Sequence, residues 1–157
     1  MVWKIQEEDI DRDKEADTVK LKPDSNRVSQ LADMAVISFL KIVSATKRSR
    51  KMHVYKEHEG LNRRMPNYSV KMGFGLHVGW AIEGAIGSFY KIDASYLSPN
   101  VNMASRLEGA TKQFGAPILI SGEMVAALTP HVRTKMRLID RITVKGSVEP
   151  LGNLFII

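Results

Sequence analysis

The spacing of apolar positions changes along the chain, and each change predicts an element. Val28, Leu31, Ala32, Ala35, Phe39 and Val43 recur three or four residues apart, which places them on one face of a helix. Ser25 or Asn26 precedes this run as its cap. In SVKMGFGLHVG, residues 69–79, the period falls to two. Val70, Met72, Phe74, Leu76 and Val78 alternate with Lys71, Gly73, Gly75, His77 and Gly79. This predicts a strand with one apolar face and one face of small residues. Three glycines weaken an isolated strand, so that second face is expected to receive a close neighbour, whether backbone, ligand or partner chain. Gly79–Trp80 then turns the chain into AIEGAIGS, residues 81–88, which is expected to form a hairpin with 69–79.

Residues 88–97, SFYKIDASYL, continue as strand or extended chain into a helix over 98–115. Ser98 caps that helix, Pro99 takes its first position and Gly115 ends it. Met103, Leu107, Ala110 and Phe114 form its apolar stripe, while Asn102 and Arg106 share a neighbouring face one turn apart. PILIS at 117–121 reads as a short buried strand, with Ser121 capping the small helix GEMVAAL. RLIDRITVKG at 137–146 and GNLFII at 152–157 read as two further strands, and VWKI at 2–5 as the end of one. Two polar stretches, 6–27 and 46–68, contain Pro23 and Pro66 and are expected to be exposed loops. Strands mixed with helices, including a hairpin, favour an α+β fold over a doubly wound parallel sheet.

A chain of 157 residues, 44% hydrophobic and 25% charged, suits one globular domain. The apolar stretch MAVISFLKIV is interrupted by Lys41 and keeps helical spacing, so it reads as a core helix and not a membrane span. No basic region followed by an apolar one opens the chain, so no signal peptide is expected. With no cysteine, disulfides and thiolate metal sites are excluded, which is compatible with an intracellular setting. The net charge of +6 is uneven: residues 1–27 hold eight acids and six bases, which leaves +8 for residues 28–157. Much of the excess lies in KRSRK at 47–51 and in Arg63 and Arg64. A nucleic-acid surface, a solvated basic loop and a polyphosphate site would each account for it. No aromatic ladder or recognition helix accompanies the charge.

Neither GFGLHVG nor GAIGS is a dinucleotide fingerprint, because that motif needs a strand before its glycines and a helix after them. The 98–115 helix is more informative. An arbitrary Asn and Arg pair ordinarily sits in water, but Asn102 and Arg106 occupy the first two turns of a well-capped helix whose end is partly positive. A planar guanidinium there can make two hydrogen bonds to a phosphate.

The series GLHVGWAIEGAIGS, KIDASYLSPNVNMASRLEGATKQFG, ILISGE and IDRITVKG resembles the class III adenylyl and guanylyl cyclase catalytic domain. The order agrees with that family: a Gly-His-x-Gly hairpin, a V-N-x-A-S-R helix, a short strand and a V-K-G strand end. The likeness covers 69–157 and extends to 28–45. It implies a ferredoxin-like α+β fold with an antiparallel-rich sheet. It also implies that Asn102 orients the ribose and that Arg106 stabilises charge on the α-phosphate as the 3′-hydroxyl attacks. Lys145 falls on the lysine that contacts the terminal phosphates. Ser95 occupies the purine-reading position, with Asp93 as the alternative two residues earlier. His77 is expected to pack, not to catalyse.

The resemblance further implies two aspartates that bind Mg or Mn ions, on an opening strand and in a Gly-Asp turn. Neither has a counterpart here; MVWK matches the strand just after that turn. The acids of EEDIDRD lack the strand context to replace them. The chain is therefore expected to be a single partial cyclase domain over 1–157, without the first strand-helix portion. Its site would form across a homo- or heterodimer with another cyclase domain, whose carboxylates supply the ions. ATP or GTP is the expected substrate, with no nucleic-acid partner and a membrane only through a larger parent protein. Two other function classes remain open: a non-catalytic dimerisation or nucleotide-binding module, and a basic nucleic-acid binder acting through 47–51 and 63–64.

Overall fold

The computed structural model describes residues 1–13, 18–22, 25–141 and 153–156. Helix α1 spans Asn26–Arg48 and is capped by Ser25, whose side chain accepts from the Val28 amide. By length and composition alone α1 could cross a membrane. Here its periodic face is core: Val28, Ala32, Ala35 and Val36 are buried, and Phe39 packs its ring 4.7 Å from that of Phe74. The cap has a second support. Ser25 donates to Asp9 at 2.8 Å and Arg27 donates to the other carboxylate oxygen at 2.7 Å. These two donors, led by the Ser25 hydroxyl, hold the Asp9 carboxyl below its usual 3.8. A lowered folded pKa means stability present above the unfolded value and lost as pH falls through the folded one. Acid titration of the native chain should therefore loosen this cap, and Asp9→Asn should remove that part of the pH dependence.

Four strands form the central sheet in the order β3–β6–β8–β7: Phe74–Leu76, Ile118–Ser121, Asn153–Ile156 and Arg137–Arg141. β3 and β6 run parallel, while β8 is antiparallel to both β6 and β7. Every residue of β6 is buried, as expected of a strand covered on both faces. Ile118 and Ile120 face α1 and α5 (Gly122–Ala127), whereas Leu119 packs with Leu107 of α4 (Pro99–Phe114). The sheet thus lies between two helical layers, with one hydrophobic cluster on each side. α4 is built as the spacing predicts: Ser98 caps it, Pro99 opens it, and Gly115 closes it at φ 64°. Leu107 and Thr111 form its buried face. Ser121 likewise caps α5 by accepting from Met124.

The glycine face of 69–79 is closely covered, by helix backbone at Gly75 and by side chains at Gly73 and Gly79. A Cβ at Gly73 would meet Thr111, and one at Gly75 would overlap the Ala104 carbonyl and the Glu108 amide. The neighbour called for by those glycines is α4.

Four expectations are corrected. Residues 81–88 do not pair with 69–79: β4 (Ile82–Ser88) pairs with β5 (Lys91–Leu97) about the two-residue turn Phe89–Tyr90, as a separate two-stranded ribbon. Within 69–79 only Phe74–Leu76 joins a ladder, because β3 finds its partner in β6. Residues 2–5 form no strand, and Trp3 instead sets its ring against Phe39 at 5.9 Å. The stretches 6–27 and 46–68 are not loops. The first contains a 3₁₀ turn at Glu7–Asp9 and the antiparallel pair β1 (Ile10–Asp13) and β2 (Thr18–Leu21). The second contains α2 (Arg50–Glu57) and α3 (Glu59–Arg64), without a buried residue in either helix. A four-residue helix α6 follows α5 at Pro130–Arg133.

Candidate active site

The strongest candidate site lies on the outer side of α4. Burial of Leu107 and Thr111 against the sheet turns Asn102 and Arg106 outward, and both are exposed. Among the described residues neither side chain has a hydrogen-bond or ion-pair partner, so both are available to a ligand. The start of α4 is unusually well tied. Ser98 donates to the Trp80 carbonyl at 2.6 Å and accepts from the Asn100 amide at 2.9 Å. The Asn100 side chain donates to the same carbonyl at 2.9 Å. A helix end fixed in this way presents Asn102 and Arg106 from a rigid base beside the positive end of the helix dipole.

The remaining candidates divide. Ser95 and Asp93 lie two residues apart on β5, hence on one face of the ribbon, opposite Gly84 and Ile86. Ser95 is half-buried. Asp93 is exposed and pairs with Lys91 at 3.0 Å, an exposed pair of little energetic weight. Lys145 lies outside the described residues. On the other face of the ribbon, Glu83 accepts from Lys4 at 2.6 Å and from the Tyr96 hydroxyl at 3.2 Å. The hydrogen bond from Lys4, with a smaller one from Tyr96, holds the Glu83 carboxyl below its ordinary range. Among the described residues no group of three or more His, Asp or Glu side chains could hold a metal ion. These residues do not fit a divalent ion by themselves.

His77 was expected only to pack, and its contacts are polar. Its Nδ1 lies 2.8 Å from Ser121 Oγ and its Nε2 lies 3.1 Å from Asn100 Oδ1. Sequence reasoning missed Asn100 and Ser121 as its partners. The one hint was Gly79, where a Cβ would overlap the Asn100 amide.

A three-layer α+β domain that presents an amide and a guanidinium from an anchored helix end is suited to anion chemistry. Comparison with known proteins gives the family. The chain belongs to the adenylate and guanylate cyclase catalytic domain family, whose model matches residues 16–156. It is 39% identical over 84 residues to an adenylate cyclase of Anabaena cylindrica, covering 53% of this chain and 17% of that protein. It is 38% identical over 60 residues to adenylate cyclase 1 of Rhizobium meliloti (strain 1021), covering 38% and 9%. Among solved structures, a bacterial light-regulated adenylyl cyclase superposes with a TM-score of 0.59 at 26% identity, over 82% of this chain and 33% of that one. The chain spans less than a fifth of the length of these two curated relatives.

Proposed function

We propose that this domain contributes one half of a nucleotidyl cyclase site, which converts ATP or GTP to the 3′,5′-cyclic nucleotide and pyrophosphate in intracellular signalling. The observation that carries the reading is the pair Asn102 and Arg106, exposed and one turn apart on the anchored end of α4. The ribose 3′-oxygen attacks the α-phosphorus and loses its proton, and the bond to the bridging oxygen breaks to release pyrophosphate. In this reading Asn102 holds the ribose so that the 3′-oxygen faces phosphorus. Arg106 donates to the α-phosphate oxygens as negative charge grows there. Ser95, or Asp93 beside it, contacts the purine, and Lys145 binds the terminal phosphates.

The family generally uses divalent ions, which would supply charge to hold the triphosphate and to ease loss of the 3′-proton. We assign their carboxylates to a partner domain, because the described residues here do not fit them. The β4–β5 ribbon supports a dimer. Ile82, Ile86 and Leu97 lie exposed on one of its faces, and Phe89 and Tyr90 are more than nine-tenths exposed at its tip. Apolar surface in such a cluster is covered by a partner more often than by water. A second cyclase domain is the occupant this reading requires.

The test is complementation. The chain alone, supplied with Mn²⁺ and either nucleotide, is expected to form no cyclic product. Paired with a cyclase domain that carries both aspartates but lacks its own Asn and Arg, it is expected to restore product formation. Robust turnover by the chain alone would refute the division of labour. No turnover from the pair would favour a non-catalytic module.

A further inference from the structure

We propose that His77 is the positioning residue of this site: its imidazole, with Nε2–H directed at Asn100, pins the first turn of α4 and so sets where Asn102 and Arg106 stand. The proposal rests on the cyclase reading above. His77 follows β3 on the glycine face, and the β3–β6 register that matches Leu76 to Ile120 brings it beside Ser121. Its side chain is 7% exposed, and both ring nitrogens have partners. The amide oxygen of Asn100, 3.1 Å from Nε2, can only accept, so Nε2 carries the proton. Which end of that amide is oxygen follows from its other contact, since Nδ2 donates to the Trp80 carbonyl. Nδ1 faces the Ser121 hydroxyl at 2.8 Å, an oxygen able to donate to a bare Nδ1 or accept from a protonated one, and lies 3.8 Å from a carboxylate oxygen of Glu123. Ser121 Oγ meanwhile accepts the Met124 amide at 3.3 Å. The direction is therefore fixed from the ring onward: Nε2–H donates to Asn100 Oδ1, and Asn100 Nδ2 donates to the Trp80 carbonyl.

The same three side chains resemble a nucleophile relay, but Ser121 is 2% exposed and already caps α5. No substrate reaches its oxygen. What the chain of bonds does accomplish is mechanical. It ties the neighbouring strands β3 and β6 to Asn100, two residues before Asn102 and six before Arg106. Gly79 makes the approach possible, because a Cβ there would overlap the Asn100 amide. Reacting groups misplaced by about 1 Å can lose roughly 10²-fold in rate, so a loosened α4 start reaches the chemistry without touching substrate.

Two measurements test this. In the chain labelled with ¹⁵N-histidine, long-range ¹H–¹⁵N correlations should show Nε2 of His77 as fully protonated, assigned by its loss in His77→Gln. Asn100→Ala should leave Nε2 only partly protonated; an Nε2 already partly bare in the native chain overturns the proposal. In the complemented enzyme, Asn100→Ala and His77→Ala should lower kcat by roughly 10²-fold with KM little changed. His77→Gln, whose side-chain amide can donate toward Asn100, should recover most of that loss. Asn100→Ala removes no buried apolar group, so it decides the matter even where His77→Ala does not fold. Native turnover with unchanged kcat in folded Asn100→Ala overturns the positioning role and leaves the cyclase reading standing. A native pair that makes no product removes the cyclase reading first, and the positioning role with it.

Discussion

Replacing Arg106 by alanine is expected to lower kcat of the complemented enzyme by roughly 10²–10³-fold, with the melting temperature of the chain unchanged. The two halves of this expectation have separate causes. Arg106 is exposed and has no partner among the described residues, so truncating it removes no contact that holds the fold. In the proposed role its guanidinium meets charge that develops only as the new P–O bond forms, so the loss should fall on kcat while KM changes little. Lysine is a poor substitute, because a point charge cannot reproduce two parallel N–H donors on one phosphate. Steady-state assays with ATP and GTP, alongside thermal melts, measure both halves. A kcat equal to that of the native pair would take Arg106 out of the site. A large drop in melting temperature would mean that the residue supports the fold instead.

Gly75→Ala is expected to destabilise the chain at or above the upper end of the roughly 1–3 kcal/mol typical of overpacking. The added methyl would overlap the Ala104 carbonyl, the Glu108 amide and the Leu107 Cβ. Two of these are backbone atoms of a helix, and a helix backbone cannot yield as a flexible side chain can. The clash is relieved only by moving α4 off β3, which also separates Leu107 from Leu119 and Leu154 beneath it. Gly84→Ala in the ribbon is the matched control, since nothing lies within 4 Å of its added Cβ. Urea unfolding of both variants with unchanged slopes isolates the effect. If Gly75→Ala unfolds at the native midpoint, the close docking of α4 on β3 is wrong.

Elements with a strong local signature were legible in the sequence. α1 and α4 announced themselves through spacing and caps, with Ser25 one of two caps offered for α1 and Ser98, Pro99 and Gly115 bounding α4, and the apolar run of β6 marked a short buried strand. Pairing was less legible, because it depends on residues far apart. β4 was expected beside β3, its neighbour in sequence, yet β3 joins β6 across 41 intervening residues. α2 and α3 were read as loop because they carry no apolar stripe and bury nothing, leaving caps such as His58 on Leu61 as their main local signal. Asp9 was hidden in a run of acids, where composition suggested solvent and the cap of α1 decided otherwise. In the candidate site, helix position and the family resemblance nominated Asn102 and Arg106, and both stand exposed on α4. The bond from His77 to Asn100 could not, because it spans 23 residues and depends on how α4 lies across the sheet.

One atom of the fold has an additional consequence. The Trp80 carbonyl receives both tethers of α4, from Ser98 and from Asn100, and it stands two residues before the β4–β5 ribbon begins. Ser98, one residue past Leu97, stands at the ribbon's other end. A protein that grips the ribbon therefore also holds the handle of α4: a tilt of the one becomes a tilt of the other. Assembly and reactivity would then be a single movement, and an input that twists the ribbon could throttle turnover without an effector site of its own.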